Sequence, residues 1–539
     1  MGNDPSRPAN DDASNTPPSV ELSRRSFARR MAELAGGAAF AALAGGNARV
    51  AAAQRNATAA HTYCVPGEVL VVVRHPGAFT REHVAQRLRV HPLLSDALLA
   101  GAAPDAERMI TLASGAEAWT LAALPAPGAN NAAALLDHCE RLSADALAAP
   151  ASEVSIAQFV PNWMAAGAPE NVGGGGPGGR PQAISAAELA QLRGVQPAFW
   201  QFVLPAGLPL QRPAAERGAG IDIYILDTAP DRAALDGAMA RWQAAHPLVA
   251  GLLGPNSPLD IAYAGADHLL GQLDYVLPNA HYLMPDHGLF VAGIIHAIAP
   301  AARLHLVEVL NPYGVGSLES IARGFALAAQ AAARGPVIVN ASLCLDVPQP
   351  DRAWLRTLRQ DEPFWAGQPP ERLLRTVAPF QQLCDTLHSQ QAAVVAAAGN
   401  EGRAGYHPPA RYPAAFDSVL GVGALKADAA TPADYSNLSD APLRAGVAAF
   451  GGEVTAGTAD ARSGMVGLYT GAFPDGAPNE TGWARWAGTS FAAPVVAGAL
   501  AALMSEGHAR DAAIQLLRRA GPGSMSPIGA IFSARQLAQ

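Results

Sequence analysis

Five short apolar runs, at 221–226, 303–310, 336–341, 393–398 and 418–424, set the tightest limit on how this chain folds. The run Ile221-Asp222-Ile223-Tyr224-Ile225-Leu226 shows the pattern: short, β-branched and mostly apolar, as a buried central strand should be. Helical patterns at His287 to Ala299, Leu318 to Arg334 and Leu373 to Gln391 fall between the runs. Parallel strands need crossover connections, so the alternation predicts an α/β fold, a mainly parallel sheet with helices on both faces. At 539 residues there is room for two or three domains and a large core.

Catalytic and ligand groups gather at the carboxyl ends of strands in open α/β sheets. Asp227 ends the first run, followed by Thr228-Ala229-Pro230. Asn400, flanked by Gly399 and Gly402, follows the strand pattern Val394 to Ala398. An amide N–H there is placed to stabilise an oxyanion, a contribution of about 3–4 kcal/mol. His287 opens a helix pattern with apolar residues at Phe290, Val291, Ile294, Ile295 and Ile298, where Gly288 and Gly293 permit close packing. Ser490 stands where Gly488-Thr489 runs into the Ala/Val-rich helix pattern Ala492 to Met504. A helix N-terminus offers unpaired N–H groups and favours negative charge beside a serine oxygen. Serine is a poor nucleophile until a base takes its proton. Singly, each residue has a plain structural reading: Asx turn, helix-start packing, Gly-Asn turn and N-cap.

Together, in the order Asp, His, Asn, Ser and each at an element end, the four resemble the subtilisin-like serine proteases. The matching segments are Ile225-Leu226-Asp227-Thr228, His287-Gly288 with Val291-Ala292-Gly293, Ala397-Ala398-Gly399-Asn400-Glu401-Gly402, and Gly488-Thr489-Ser490 with Ala492-Ala493-Pro494. Val337 to Leu343, and Tyr412-Pro413-Ala414 leading to Val419 to Ala424, fit as well. The likeness spans roughly residues 215 to 510. It implies a serine endopeptidase acting through an acyl-enzyme, with Ser490 as nucleophile, His287 as proton carrier and Asp227 orienting the imidazole. Asn400 and the Ser490 N–H would bind the oxyanion. Ser342 and Leu343 would lie on an extended strand that pairs with substrate backbone. Ala396 to Gly399, with Ala397 and Gly399 among them, would wall the primary specificity pocket, roomy and mainly apolar. Glu401 at its rim would favour a basic side chain.

The chain departs from the family at Ala229, where a glycine is usual, and at Leu289 and Phe290, where a threonine and a second histidine are usual. None of these transfers the proton, so the chemistry should survive. Asp227 and His287 lie 60 positions apart, and a Pro/Trp-rich insertion runs from Val347 to Pro370; long loops of this kind shape substrate access. Two other readings stay open: a catalytically silent member that binds peptides or a partner protein, and a dedicated processing protease.

The remaining chain fits an exported precursor. Ser23-Arg24-Arg25-Ser26-Phe27, an Ala/Gly run from Met31 to Gly46 and Ala51-Ala52-Ala53 resemble a twin-arginine export signal. Residues 1–54 are thus an export signal or a disordered basic tail, and the protein is periplasmic or secreted, or cytoplasmic if the signal reading fails. No later stretch approaches membrane-spanning length, so the mature form is expected to be soluble. A formal net charge of −8 with no basic footprint argues against nucleic acid. Strand and helix patterns at Val65 to Arg74, Thr80 to Val90, Ala118 to Ala123 and Ala132 to Leu147 give residues 55–170 as a small α+β domain. That domain is expected to act as a propeptide-like intramolecular inhibitor, joined by a Gly/Pro-rich linker at 171–190 to a catalytic domain at 191–539. Cys64, Cys139, Cys344 and Cys384 allow two bridges, Cys64–Cys139 and Cys344–Cys384 among three pairings, or remain free buried thiols. No metal catalytic site and no required cofactor are expected. Calcium is common in the family, but no acidic cluster can be assigned to it.

Overall fold

A computed structural model gives the fold and describes residues 64–95, 104–114, 116–126, 129, 132–149, 152–167, 179–263, 282–345, 369–439, 446–455, 458–520, 525–526 and 528–538. The export-signal stretch 1–54, the glycine run 173–178 of the linker and the insertion at 347–368 lie outside the described residues.

The first described segment is built from β1 (Cys64–Pro76), α1 (Arg81–Arg89), β2 (Ile110–Ser114), β3 (Glu117–Pro125), α2 (Ala132–Ala148) and β4 (Ser155–Gly167). β1 carries the uninterrupted apolar run Val69 to Val73, all buried, and pairs antiparallel with β3 on one side and β4 on the other. The four strands lie in the order β4-β1-β3-β2. Thr80 caps α1 by accepting from His83 N at 3.2 Å, satisfying one of the amides that a helix start leaves unpaired. Leu135, Leu136 and Leu142 of α2 close one face of this sheet.

The larger sheet follows. Its first members are β5 (Asp222–Asp227), β6 (Leu259–Tyr263) and, after helix α3 (His287–Ile298), β7 (Arg303–Glu308). A short strand β8 (Val315–Ser317) leads into α4 (Leu318–Ala332), then β9 (Val337–Ala341), another short strand β10 (Leu343–Leu345) and α5 (Pro370–Ser389). β11 (Ala393–Ala397), β12 (Val419–Leu425), β13 (Val447–Phe450), α6 (Thr489–Ser505), β14 (Met525–Ser526) and β15 (Gly529–Phe532) complete it. Among the described residues nine strands run β14-β15-β13-β12-β11-β9-β5-β7-β6, parallel except for the β14–β15 edge pair.

Side chains alternate between two faces, as the pleat requires. Ile223, Ile225, Ile338 and Val395 meet α3 and α6 on one face, whereas Leu226, Val339, Val394 and Ala396 meet α4 and α5 on the other. Every residue of α6 is buried, so it is apolar all round rather than along one stripe. Helices therefore cover both faces, as the alternation of runs predicts. The expected strands each fall within two residues of an observed one at their start.

β4 belongs to both halves. Residues Ser155 to Trp163 pair with β1, and then Met164, Ala165 and Ala166 pair antiparallel with Ser317, Gly316 and Val315 of β8. Ala165, Ala166 and Gly167 pair with Leu345, Cys344 and Leu343 of β10 on the other side. Trp163 is fully buried at the crossover and its Nε1 donates to Thr376 O of α5 at 3.2 Å. Apolar residues of the small sheet, α4 and α5 form one continuous buried cluster. Around it, Arg108 pairs with Glu319 and, at 3.0 Å, with Glu68, while Asn162 accepts from Glu319 N and donates to Glu68. Burial would raise the Glu319 pKa, but Arg108 and Arg323 outweigh it and hold the carboxyl below its ordinary range.

All four cysteines are buried, unbridged thiols. Burial pushes Cys64 up to about 12, which removes it as a nucleophile near neutral pH.

His246 gives a pH prediction. Its Nδ1 accepts from Val249 N at 3.3 Å, and Nε2 donates to Gly482 O at 3.1 Å, while the ring stacks on Trp483 with centroids 3.8 Å apart. Both nitrogens are used only if the ring is neutral. Burial pushes its pKa down from 6.5 to about 3. Between those values the unfolded chain binds a proton that the folded chain refuses, so stability present above the unfolded pKa is lost as pH falls. The unfolding midpoint should drop between about pH 6.5 and pH 4, and His246→Asn should flatten that slope. An unchanged slope in the variant would refute this assignment.

Candidate active site

Asp227 stands at the carboxyl end of β5, in the interior of the parallel sheet, and is fully buried. Its Oδ1 accepts from Thr228 N at 2.7 Å and from His287 Nδ1 at 2.7 Å. A carboxylate only accepts, so Nδ1 carries the proton and Nε2 is left as the basic atom. The strand end and the helix start are clamped by Thr228, whose Oγ1 lies 3.0 Å from the carbonyls of Met284 and Pro285 and accepts from Gly288 N at 3.3 Å. A methyl on Gly288 would sit 2.3 Å from Thr228 O and 2.8 Å from Asp227 Cβ, so only glycine allows the two elements to approach this closely.

Asp286, one residue before the imidazole, is also fully buried. Its carboxylate accepts from Thr470 N at 2.9 Å, Thr470 Oγ1 at 2.6 Å and Gly471 N. Burial raises its pKa, and the Thr470 and Gly471 donors work against that rise. The His287 ring is packed against Trp486 edge-on and Phe491 at a tilt, both with centroids at 5.2 Å. Phe290 joins the same aromatic group, touching Trp486 and Phe491. Phe290 thus backs the two rings that hold the imidazole.

Ser490 is the second residue of α6, beside Phe491, and is buried. Ser342 Oγ accepts from Asn340 Nδ2 at 2.9 Å and donates to the Ser490 carbonyl at 2.8 Å. Ser490 Oγ donates to Ser342 O at 3.5 Å; among the described residues it makes no hydrogen bond to His287.

Asn400 Oδ1 accepts from Thr489 N and Thr489 Oγ1, each at 2.9 Å, and Thr489 Oγ1 accepts from Gly399 N at 3.2 Å. A methyl on Gly488 would lie 3.5 Å from Asn400 Nδ2 and 3.7 Å from Ser490 N. Asn400 Nδ2 and Ser490 N thus lie close to one point beside Gly488, and binding an oxyanion calls for two donors near one point.

Ser342 and Leu343 lead into β10, and Ala397 and Gly399 bracket the end of β11 across from it. Gly399 has φ +111°, and a methyl there would meet Asn437 Nδ2 at 2.5 Å, so no other residue fits. Glu401 is not open at a rim: it is 7% exposed and bonded to Arg411 at 2.5 Å and Asn437 at 2.6 Å. Of the residues singled out in the sequence, Asp227 is bonded to His287, Ser342 to Ser490, and Asn400 to Thr489 beside Ser490, while the His287 ring meets Phe491 on the other side of that serine. Thr228 and Asn340, which lie inside matching segments, and Asp286 and Arg411 were given no role by the sequence; Asp286 is a polar residue adjoining a motif, a signal that sequence reading can use.

Residues 273–516 match the Subtilase family, a stretch that contains His287, Asn400 and Ser490 and begins after Asp227. The chain is 28% identical over 229 residues to subtilisin DY of Bacillus licheniformis, covering 41% of this chain and 64% of that relative. Among solved structures, a mutant of the protease domain of PatA is 24% identical, covering 61% of this chain and 94% of that one with a TM-score of 0.38. A lanthipeptide protease is 17% identical, covering 66% and 96% with a TM-score of 0.39.

Proposed function

We propose that this chain, which matches the Subtilase family over residues 273–516, is an exported serine endopeptidase held in check by its own N-terminal segment. The observation that carries the reading is the 2.7 Å bond from His287 Nδ1 to buried Asp227, next to the serine-bearing start of α6.

In this reading, His287 Nε2 takes the Ser490 proton as Oγ attacks the scissile carbonyl. The imidazolium that forms is stabilised by Asp227, whose position is fixed by Thr228 N. The carbonyl oxygen becomes an oxyanion between Asn400 Nδ2 and Ser490 N. His287 then returns the proton to the leaving amine, and water repeats the sequence on the acyl-enzyme. No step calls on a metal or a cofactor. Substrate backbone docks as an added strand along Ser342 and Leu343, beside the wall made by Ala397 and Gly399. Removing the amide donor, Asn400→Leu, should lower kcat by about 10²–10³-fold with little change in KM. A kcat within a factor of two or so of the wild type would remove Asn400 from the oxyanion site.

Inhibition by the N-terminal segment is supported by β4, whose residues 164–167 fill the gap between β8 and β10 where a substrate strand would add. Export rests on the pattern at Ser23 to Ala53.

A second reading, a catalytically silent peptide binder, is favoured by one contact: Ser490 Oγ is bonded to Ser342 O and not to His287. Fluorophosphonate labelling separates the two. The protein cleaved by limited proteolysis within 168–178 and freed of the released N-terminal segment should label on Ser490, and Ser490→Ala should not. Failure of the wild type freed of that segment to label would sink the endopeptidase reading.

A further inference from the structure

Arg411 bridges β10 and the segment from Ala397 to Gly399, the two sides of the substrate site in the reading above. We infer from this that the residue preceding the cut must be small and uncharged: alanine, glycine or serine. The inference rests on the endopeptidase reading and refines it.

One wall is β10 and the other is the segment from Ala397 to Gly399. The backbone of residues 411–412 is tied to both, since Arg411 N donates to Ala398 O at 2.9 Å and Leu345 N donates to Tyr412 O at 2.9 Å. From there the guanidinium reaches across. Nη2 donates to Leu345 O at 2.9 Å, and Nη1 donates to Glu401 Oε1 at 2.5 Å. Glu401 is held in turn by Asn437, which donates to Oε2 at 2.6 Å and accepts from Glu401 N at 2.9 Å. Arg411 Cγ would lie 3.1 Å from a methyl placed on Gly399, so the stem runs directly against that wall.

Arg411 and Glu401 are both 7% exposed. Swinging the arginine aside would strand two buried opposite charges and the Leu345 carbonyl, so it is a fixed floor and not a flexible lid. The small residues Ala397, Ala398 and Gly399 would by themselves leave space, and the arginine stem fills it. A large apolar side chain has no depth to enter. An acidic one would compete with Glu401 for a guanidinium already neutralised, and a basic one would meet that guanidinium. A separate observation agrees. The residues that the fold itself seats on β8 and β10 are Met164-Ala165-Ala166-Gly167, with Ala168 next in sequence.

The test is a peptide library varied at the residue before the cut, each preparation normalised to its fluorophosphonate titre. The wild type should favour Ala, Gly or Ser over Phe, Lys and Glu by about 100-fold in kcat/KM. Arg411→Gly combined with Glu401→Gln should raise kcat/KM for Phe at least about tenfold. The inference is overturned if the wild type prefers a large or charged residue, a result that needs no variant to fold. It is overturned equally if the double variant titrates normally with an unaltered profile. Absence of labelling in the wild type would instead strike at the endopeptidase reading.

Discussion

Ser490→Ala is expected to lower kcat on peptide substrates by about 10⁶-fold while leaving the fold intact. The size of the loss follows from the role: without Oγ no acyl-enzyme forms, and only binding and the oxyanion donors remain to assist direct attack by water. The fold should persist because the bond linking this position to β10 is from Ser342 Oγ to the Ser490 backbone carbonyl, which alanine keeps. What alanine removes is the long 3.5 Å bond from Ser490 Oγ to Ser342 O. Turnover with the purified variant, alongside its circular dichroism spectrum, checks both halves. Activity within tenfold or so of the wild type would exclude Ser490 as nucleophile.

Asp227→Asn should cost about 10⁴-fold in kcat. Oδ1 serves two donors, Thr228 N and His287 Nδ1, and the amide can meet them in only two ways. If its oxygen stays in place, both bonds survive, but the negative charge that stabilises the imidazolium is gone. If its NH₂ turns toward the ring, Nδ1 must accept and the proton moves to Nε2, which then cannot act as base. Each orientation disables proton transfer while disturbing packing little. The check is the rate of fluorophosphonate labelling together with kcat. A variant that labels at the wild-type rate would mean that Asp227 merely caps its strand.

The parallel core was legible in the sequence because strands such as Ile221 to Leu226 and Val394 to Ala398 are apolar on both faces, and short runs of that kind have few other uses. Leu259–Tyr263 escaped notice as the edge strand β6: it carries Asp260 and keeps neither face fully buried. β8 and β10 have three residues each, too few for any period to show. They count as strands only because β4 lies between them. The end of β4 was hidden for a related reason, since Ala165, Ala166 and Gly167 are poor strand formers whose conformation is imposed by pairing partners about 150 or more positions away. At the site, Asp227, His287, Asn400 and Ser490 could be picked out from their positions at element ends. Arg411 could not. Nothing about an arginine between Ala410 and Tyr412 says that its guanidinium will reach Leu345 and Glu401, because that arrangement exists only once β10 and β11 are side by side.

Because β4 is one unbroken strand, its seating between β8 and β10 is thermodynamically coupled to the integrity of the small sheet. Residues 155–163 are zipped to β1 and cannot slide, and Trp163 pins the transition, so the tetrapeptide at 164–167 has little freedom to peel away gradually. Opening is then governed by the sheet's local unfolding free energy and not by the weak grip of four residues alone. A substitution deep in β1, far from β8 and β10, would set how often the space between those two strands stands open.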